Sequence, residues 1–173
     1  MPILNSIAKI SDQMTEWRRY LHTIPELSYK EFKTSKFISS KLKEWNIEHE
    51  TGIAKTGIVA KIKGNKGNSE KAIGLRADID ALPIEEKNDI NHKSTHQGVS
   101  HKCGHDGHTT FLLGAAKYLS ENPDFDGTVY LIFQPAEEGG AGADSMIKDG
   151  LFEKYPMSQI FGMHNWPDSP KGT

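Results

Sequence analysis

"AIGLRADIDALP", residues 72–83, decides how this chain is read. Its first seven residues are almost continuously apolar, as in an interior strand, and the run stops at Asp78, with Asp80 two residues on and Pro83 closing the stretch. Upstream, Ile3, Ile7, Ile10, Met14, Trp17 and Leu21 recur at helical spacing and predict an amphipathic helix closed by Pro25. A second helical pattern covers 31–45, with Phe32, Phe37, Ile38, Leu42 and Trp45 as its apolar set. "GIVAKIKG" (57–64) alternates like a half-exposed strand and runs into the turn-rich "GNKGNSE". Downstream, the polar residues 84–100 predict a long loop, and "HTTFLLGAAKYL" predicts a helix over about 107–119. "GTVYLIF" (127–133) predicts a buried strand broken at Pro135. "GAGADSMIKDG" (140–150) suits a short helix stopped by Gly150, and "SQIFGMH" (158–164) a last strand. Helices alternating with strands predict an α/β layered domain, its sheet largely parallel or mixed and flanked by helices.

A length of 173 residues suits one domain with a real core. Hydrophobic residues at 36% and charged residues at 25%, with no long block of one sign, favour an ordered globular unit over disorder. A formal net charge of -2 provides no electrostatic reason to expect nucleic acid or an anionic membrane as partner. No apolar run approaches bilayer length, and the opening segment reads as a helix rather than a secretion signal. A single cysteine cannot form an internal disulfide, so a reducing, cytoplasmic setting is expected.

Three of the apolar runs end in reactive side chains. "AIGLRAD" delivers Asp78 and then Asp80, "GTVYLIFQPAEE" delivers Glu137 and Glu138, and "SQIFGMH" delivers His164. Cys103 and His105 sit just ahead of the helix that links two of these strands, separated by Gly104, whose missing side chain lets both point inward. Ligand sites in open α/β sheets lie beyond the carboxyl ends of the strands, so one edge gathers all of these groups. Thiolate, imidazole and carboxylate together favour zinc, manganese, cobalt or nickel over calcium or magnesium. Two adjacent glutamates repel unless a cation or proton compensates, and neighbouring side chains do not easily point the same way. The natural division is one ligand and one free carboxylate that takes a proton from water and passes it to a leaving nitrogen, the layout of metal-assisted hydrolysis.

Taken singly, each group has an ordinary reading. The glutamate pair could be a solvated charge cluster, Asp78 and Asp80 turn caps, and His164 structural. His108 could be a helix-start surface residue or could orient a neighbour. His92, His96 and His101 read as structural loop residues, and Trp17, Trp45 and Trp166 as core or rim aromatics. Cys103 as a nucleophile with a histidine base is a further reading, but it leaves the paired glutamates and the two aspartates without a role.

"RRYLHTIPELSYKE", "TGIVAKI", "LRADIDALPI", "KCGHDGHTTFLLGAAKYL", "GTVYLIFQPAEEGGAGADSMIKDGLF" and "GMHNWPDSPKGT" run in order through nearly the whole chain. Together they resemble the amidohydrolase branch of a metallopeptidase family, which includes hippurate hydrolases, bacterial N-acyl-amino-acid amidohydrolases and plant auxin-conjugate hydrolases. "CGHDGHT" with "QPAEEG" in one chain is a specific combination.

The resemblance implies a zinc-peptidase-like catalytic domain with two divalent ions, manganese, zinc, cobalt or nickel. By position it implies Cys103, His105, Glu138 and His164 as ligands, Glu137 as general base, and Asp80 as the residue that orients a ligand. Asp78 and His108 are additional candidates. The implied substrates are N-acyl amino acids, cleaved to a carboxylate and a free amino acid. Family members are considerably longer, so residues 1–173 correspond to the amino-terminal part of the catalytic domain, without the lid and dimerisation domain or a further ligand histidine. The resemblance is compatible with a homo-oligomer, and apolar surface left uncovered in a partial domain favours self-association. A different class of reading follows: these residues alone act as a metal-binding or structural piece with little or no turnover.

Overall fold

The computed structural model describes residues 5–170 and shows one five-stranded mixed sheet between two helical layers. The strands are β1 (Glu48–Ile53), β2 (Gly57–Lys63), β3 (Ala72–Asp78), β4 (Thr128–Gln134) and β5 (Gln159–Gly162), in the order β1-β2-β4-β3-β5. β1 with β2 and β2 with β4 are antiparallel, whereas β3 runs parallel to both β4 and β5. The carboxyl ends of β3 and β4 therefore coincide, with Asp78 paired in register with Gln134.

Alternation along the strands builds two cores. Val129, Leu131 and Phe133 of β4 join Ile58, Ala60 and Ile62 of β2 on one face. That face is covered by α2 (Ser11–Thr23), α3 (Phe32–Glu44) and α4 (His105–Glu121), through Trp17, Ile38, Leu42, Leu112 and Leu113. On the other face Tyr130, Ile132 and Val59 pack with Met146 of α5 (Gly142–Lys148) and Leu151 of α6 (Leu151–Lys154). A strand covered on both faces reads as continuously apolar, which is why β3 and β4 were legible as interior strands.

Several expectations change. The helix predicted over 3–21 is two helices, α1 (Asn5–Ala8) and α2, because the Ile10 N–H closes a tight turn onto Ile7 O at 3.1 Å; Ile3 lies outside the described residues. β2 is not half-exposed: it sits between β1 and β4, and only Lys61 and Lys63 reach solvent to any extent. β1 was not anticipated, since EHETGI carries no apolar alternation and is largely exposed at the sheet edge. α4 starts at His105 rather than 107, because Gly104 O accepts the N–H groups of Gly107 and His108. Trp17 is buried and lies 5.4 Å from Trp45, but Trp166 is 71% exposed and so does not belong to the core. Among the described residues no helix is long and apolar enough to cross a membrane.

Candidate metal centre

The site lies beyond the shared carboxyl ends of β3 and β4, at the amino end of α4. Gly104 takes φ +88°, a left-handed conformation that suits glycine, and turns the chain so that Cys103 and His105 face one point. His105 is fully buried, and its Nε2 faces carboxylate oxygens of Asp78 at 3.7 Å, Glu137 at 3.8 Å and Glu138 at 3.7 Å. These separations are too long for hydrogen bonds. Asp80 Oδ1 stands 3.3 Å from His105 Nδ1, close but not aligned as a hydrogen bond, so both ring nitrogens and Glu138 Oε1 are buried without a hydrogen-bonding partner among the described residues. Buried polar atoms are almost always satisfied, so a group of orphans facing acidic oxygens fits a cation.

Two overlapping donor sets form. Cys103, His105 and Glu138 offer ligand atoms within 4.8 Å of one another, as do Asp78, His105, His108 and His164. His105 belongs to both. His164, two residues past β5, is exposed and bridges the sets, with its Nε2 3.4 Å from Cys103 Sγ. Of the residues singled out in the sequence, the fold thus brings Asp78, Asp80, Cys103, His105, His108, Glu137, Glu138 and His164 to one edge.

Their environments differ. Asp80 accepts the backbone N–H groups of Glu137 and Glu138, each at 3.0 Å, and the Ser28 hydroxyl at 2.8 Å. Asp80 and Asp78 are therefore not turn caps. Burial alone would raise both carboxyls, but His105 and these amides outweigh it for Asp80, and His108, His105 and Arg76 for Asp78, so both are held below the usual range. Burial opposes charge on His105, yet Asp80, Asp78 and Glu138 prevail and raise it. Burial first, then the Glu138, Glu137 and Asp78 carboxylates, push the Cys103 thiol up to about 12. These surroundings favour the neutral thiol, and a cation at the site would favour the thiolate instead. Glu137, the more exposed of the two glutamates, keeps access to water.

His108 is buried rather than at the surface. Its Nδ1 donates to Asp78 at 2.7 Å and its Nε2 accepts the Asn165 backbone N–H at 3.0 Å. With both nitrogens engaged, it orients Asp78 and the His164–Asn165 segment. Asn165 was not singled out in the sequence, although it adjoins His164 there. A second layer also went unseen: Asp106 points away from the site to His22 Nδ1 at 2.7 Å and Arg18 Nε at 2.9 Å. His22 Nε2 meets Glu86 at 2.8 Å, and Lys102 pairs with Glu86 from the other side. The sole signal for it is the charged, histidine-bearing "RRYLH". Of the three loop histidines, His92 contacts Arg18, His96 contacts Pro25 O, and His101 is buried, with neither nitrogen partnered among the described residues, and pushed down to about 4 by burial.

The model of peptidase family M20/M25/M40 matches residues 74–173. A hippurate hydrolase from Campylobacter jejuni is 48% identical over 167 residues, which cover 96% of this chain and 43% of that protein. An N-acetyl-L-cysteine deacetylase from Bacillus subtilis is 47% identical over 169 residues, covering 97% of this chain and 40% of that protein. The crystal structure of a dinuclear metal-binding M20-family peptidase from Bacillus subtilis superposes with a TM-score of 0.87 at 42% identity, over 94% of this chain and 45% of that one. The chain therefore spans less than half the length of these relatives.

Proposed function

Because the chain belongs to peptidase family M20/M25/M40, we propose that it forms the metal-binding part of an amidohydrolase that cleaves N-acyl amino acids to a carboxylate and a free amino acid. The observation that carries this reading is His105, whose unpaired buried nitrogen faces three carboxylates and belongs to both donor sets. Cys103, His105, Glu138 and His164 are the ligands, Asp78 is a further candidate, and two divalent ions fit the paired sets, drawn from manganese, zinc, cobalt or nickel. When bound, these cations polarise the scissile carbonyl and lower the pKa of water. Glu137 takes the proton of the attacking water and hands it to the leaving nitrogen. Asp80 holds the Glu137–Glu138 backbone and sets its charge beside the His105 ring. The substrate class is supported by the hydrolase and deacetylase relatives.

Residues 1–173 alone are expected to show little or no turnover, because the matching relatives are more than twice as long and the β5 edge, with Phe161 52% exposed, stands uncovered. A lid and dimerisation domain, a further ligand and oligomer contacts belong to the whole enzyme, which we place in the cytoplasm. The test is metal content of the whole enzyme together with turnover of a panel of N-acyl amino acids, benzoylglycine included, before and after chelation. Stoichiometric metal and chelator-sensitive hydrolysis are expected; hydrolysis indifferent to chelation overturns the reading. Turnover by the 173-residue polypeptide with added manganese, zinc or cobalt, at the rate of the whole enzyme, overturns its assignment as an incomplete catalyst.

A further inference from the structure

Glu31 is a fully buried carboxylate to which the proposed chemistry gives no part. It occupies the N-cap position of α3, where an acidic side chain would ordinarily accept N–H groups of its own helix, but it makes no such bond. Glu26 takes that duty instead, accepting the Lys33 N–H at 3.1 Å and the Thr34 N–H at 2.9 Å. Freed from capping, Glu31 reaches across the fold. Its Oε1 accepts the Ala136 N–H at 2.9 Å and its Oε2 the Thr56 hydroxyl at 2.6 Å.

Ala136 precedes the two glutamates and sits at φ +51°, a conformation a residue with a side chain seldom adopts unless its surroundings impose it. The next two amides, of Glu137 and Glu138, go to Asp80. Three consecutive N–H groups thus end on two buried carboxylates that approach from different elements, one from the α3 cap and one from the end of β3. Ala136 O in turn accepts the Gly142 N–H at 3.0 Å, closing the turn onto α5.

We infer that Glu31 is a positioning residue: by holding Ala136 in its left-handed turn, it fixes the direction in which Glu137 and Glu138 enter the site. The inference rests on the roles proposed above for those glutamates. It predicts that Glu31→Ala in the whole enzyme weakens metal binding about 10-fold, read by competition with a chromophoric chelator, and lowers kcat with little change in KM. Glu31→Gln retains an oxygen for the Ala136 amide, and the Thr56 hydroxyl can accept from its NH2, so it restores metal binding to near the original value. Thr56→Val removes the other bond alone and should lower Tm without moving metal affinity or kcat. If Glu31→Ala does not fold, Glu31→Asp carries the test, since the shorter side chain keeps the charge but draws away from Ala136; it should also weaken metal binding.

Equal loss of metal affinity in Thr56→Val and in the Glu31 variant overturns the inference, as does a folded Glu31→Ala or Glu31→Asp with unaltered metal affinity. Glu138→Gln separates this from failure of the parent reading: unaltered metal affinity in Glu138→Gln sinks the ligand assignment itself.

Discussion

Asp80 accepts the Glu137 N–H through Oδ1 at 3.0 Å, although 57 residues separate the two. The same carboxylate takes the Glu138 amide and flanks His105, so one side chain at the end of β3 sets both the turn that carries the proposed base and the ring of a proposed ligand. Asp80→Asn keeps one acceptor oxygen and loses the charge. In the whole enzyme it should weaken metal binding by about 10- to 100-fold, as loss of a partner that orients a ligand commonly does. Chelator competition measures this, and an unchanged affinity would remove Asp80 from the site.

Glu137→Gln keeps the shape and the backbone bonds to Asp80 but no longer accepts a proton. Metal content should stay at the parent level while kcat falls by roughly 10²- to 10⁴-fold, the usual worth of a general base. An unchanged rate would assign the proton transfer to another group.

Gly104 and Gly52 both stand at φ +88° but differ in what a side chain would meet. A Cβ at Gly52 has nothing within 4 Å, whereas one at Gly104 lies 2.4 Å from Asn165 Oδ1. Gly52→Ala should cost about 1 kcal/mol of backbone strain and leave metal binding intact. Gly104→Ala should lower stability further and loosen metal binding, because it displaces Asn165 from His108 and misaligns Cys103 with His105. Thermal melts and metal titrations of the two variants separate strain from collision.

Glu86, joined through His22 to Asp106, predicts acid sensitivity. Burial alone would raise its carboxyl, but Lys102 and His22 outweigh burial and lower it from 4.5 to about 2. A depressed folded-state pKa means that its contribution is complete above about 4.5 and is lost as pH falls from there through about 2. The shift corresponds to an effect on the order of 3 kcal/mol. Glu86→Gln should therefore destabilise at neutral pH and flatten the fall in stability between about pH 5 and pH 2, as followed by denaturant unfolding. A slope equal to that of the parent would show that the pair carries no linkage.

Much of the site was legible along the chain, because the interior strands announce themselves by apolar runs and their last residues must fall at one sheet edge. Asp78, Glu137 with Glu138, and Cys103 with His105 were placed in this way, and Gly104 was recognised as the bend between two of them. β1 escaped notice because an exposed edge strand such as EHETGI buries too little to show a period. The half-exposed reading of β2 failed for a related reason: its two lysines imitate alternation near the strand end, while both faces are covered by helices and neighbours not adjacent in the chain.

Local pattern also tells residue types from one another: a thiol beside imidazoles and a pair of glutamates after a buried strand form a set of donors suited to a transition-metal cation. It did not tell partners apart. That His108 spends both nitrogens on Asp78 and Asn165, that Glu31 leaves its own helix to hold Ala136, and that His22 joins Asp106 to Glu86 depend on contacts between residues 30 to 105 positions apart. Burial converts these contacts into requirements, since a polar atom removed from water must find a partner, and only the packing of helices onto the sheet determines which one is within reach.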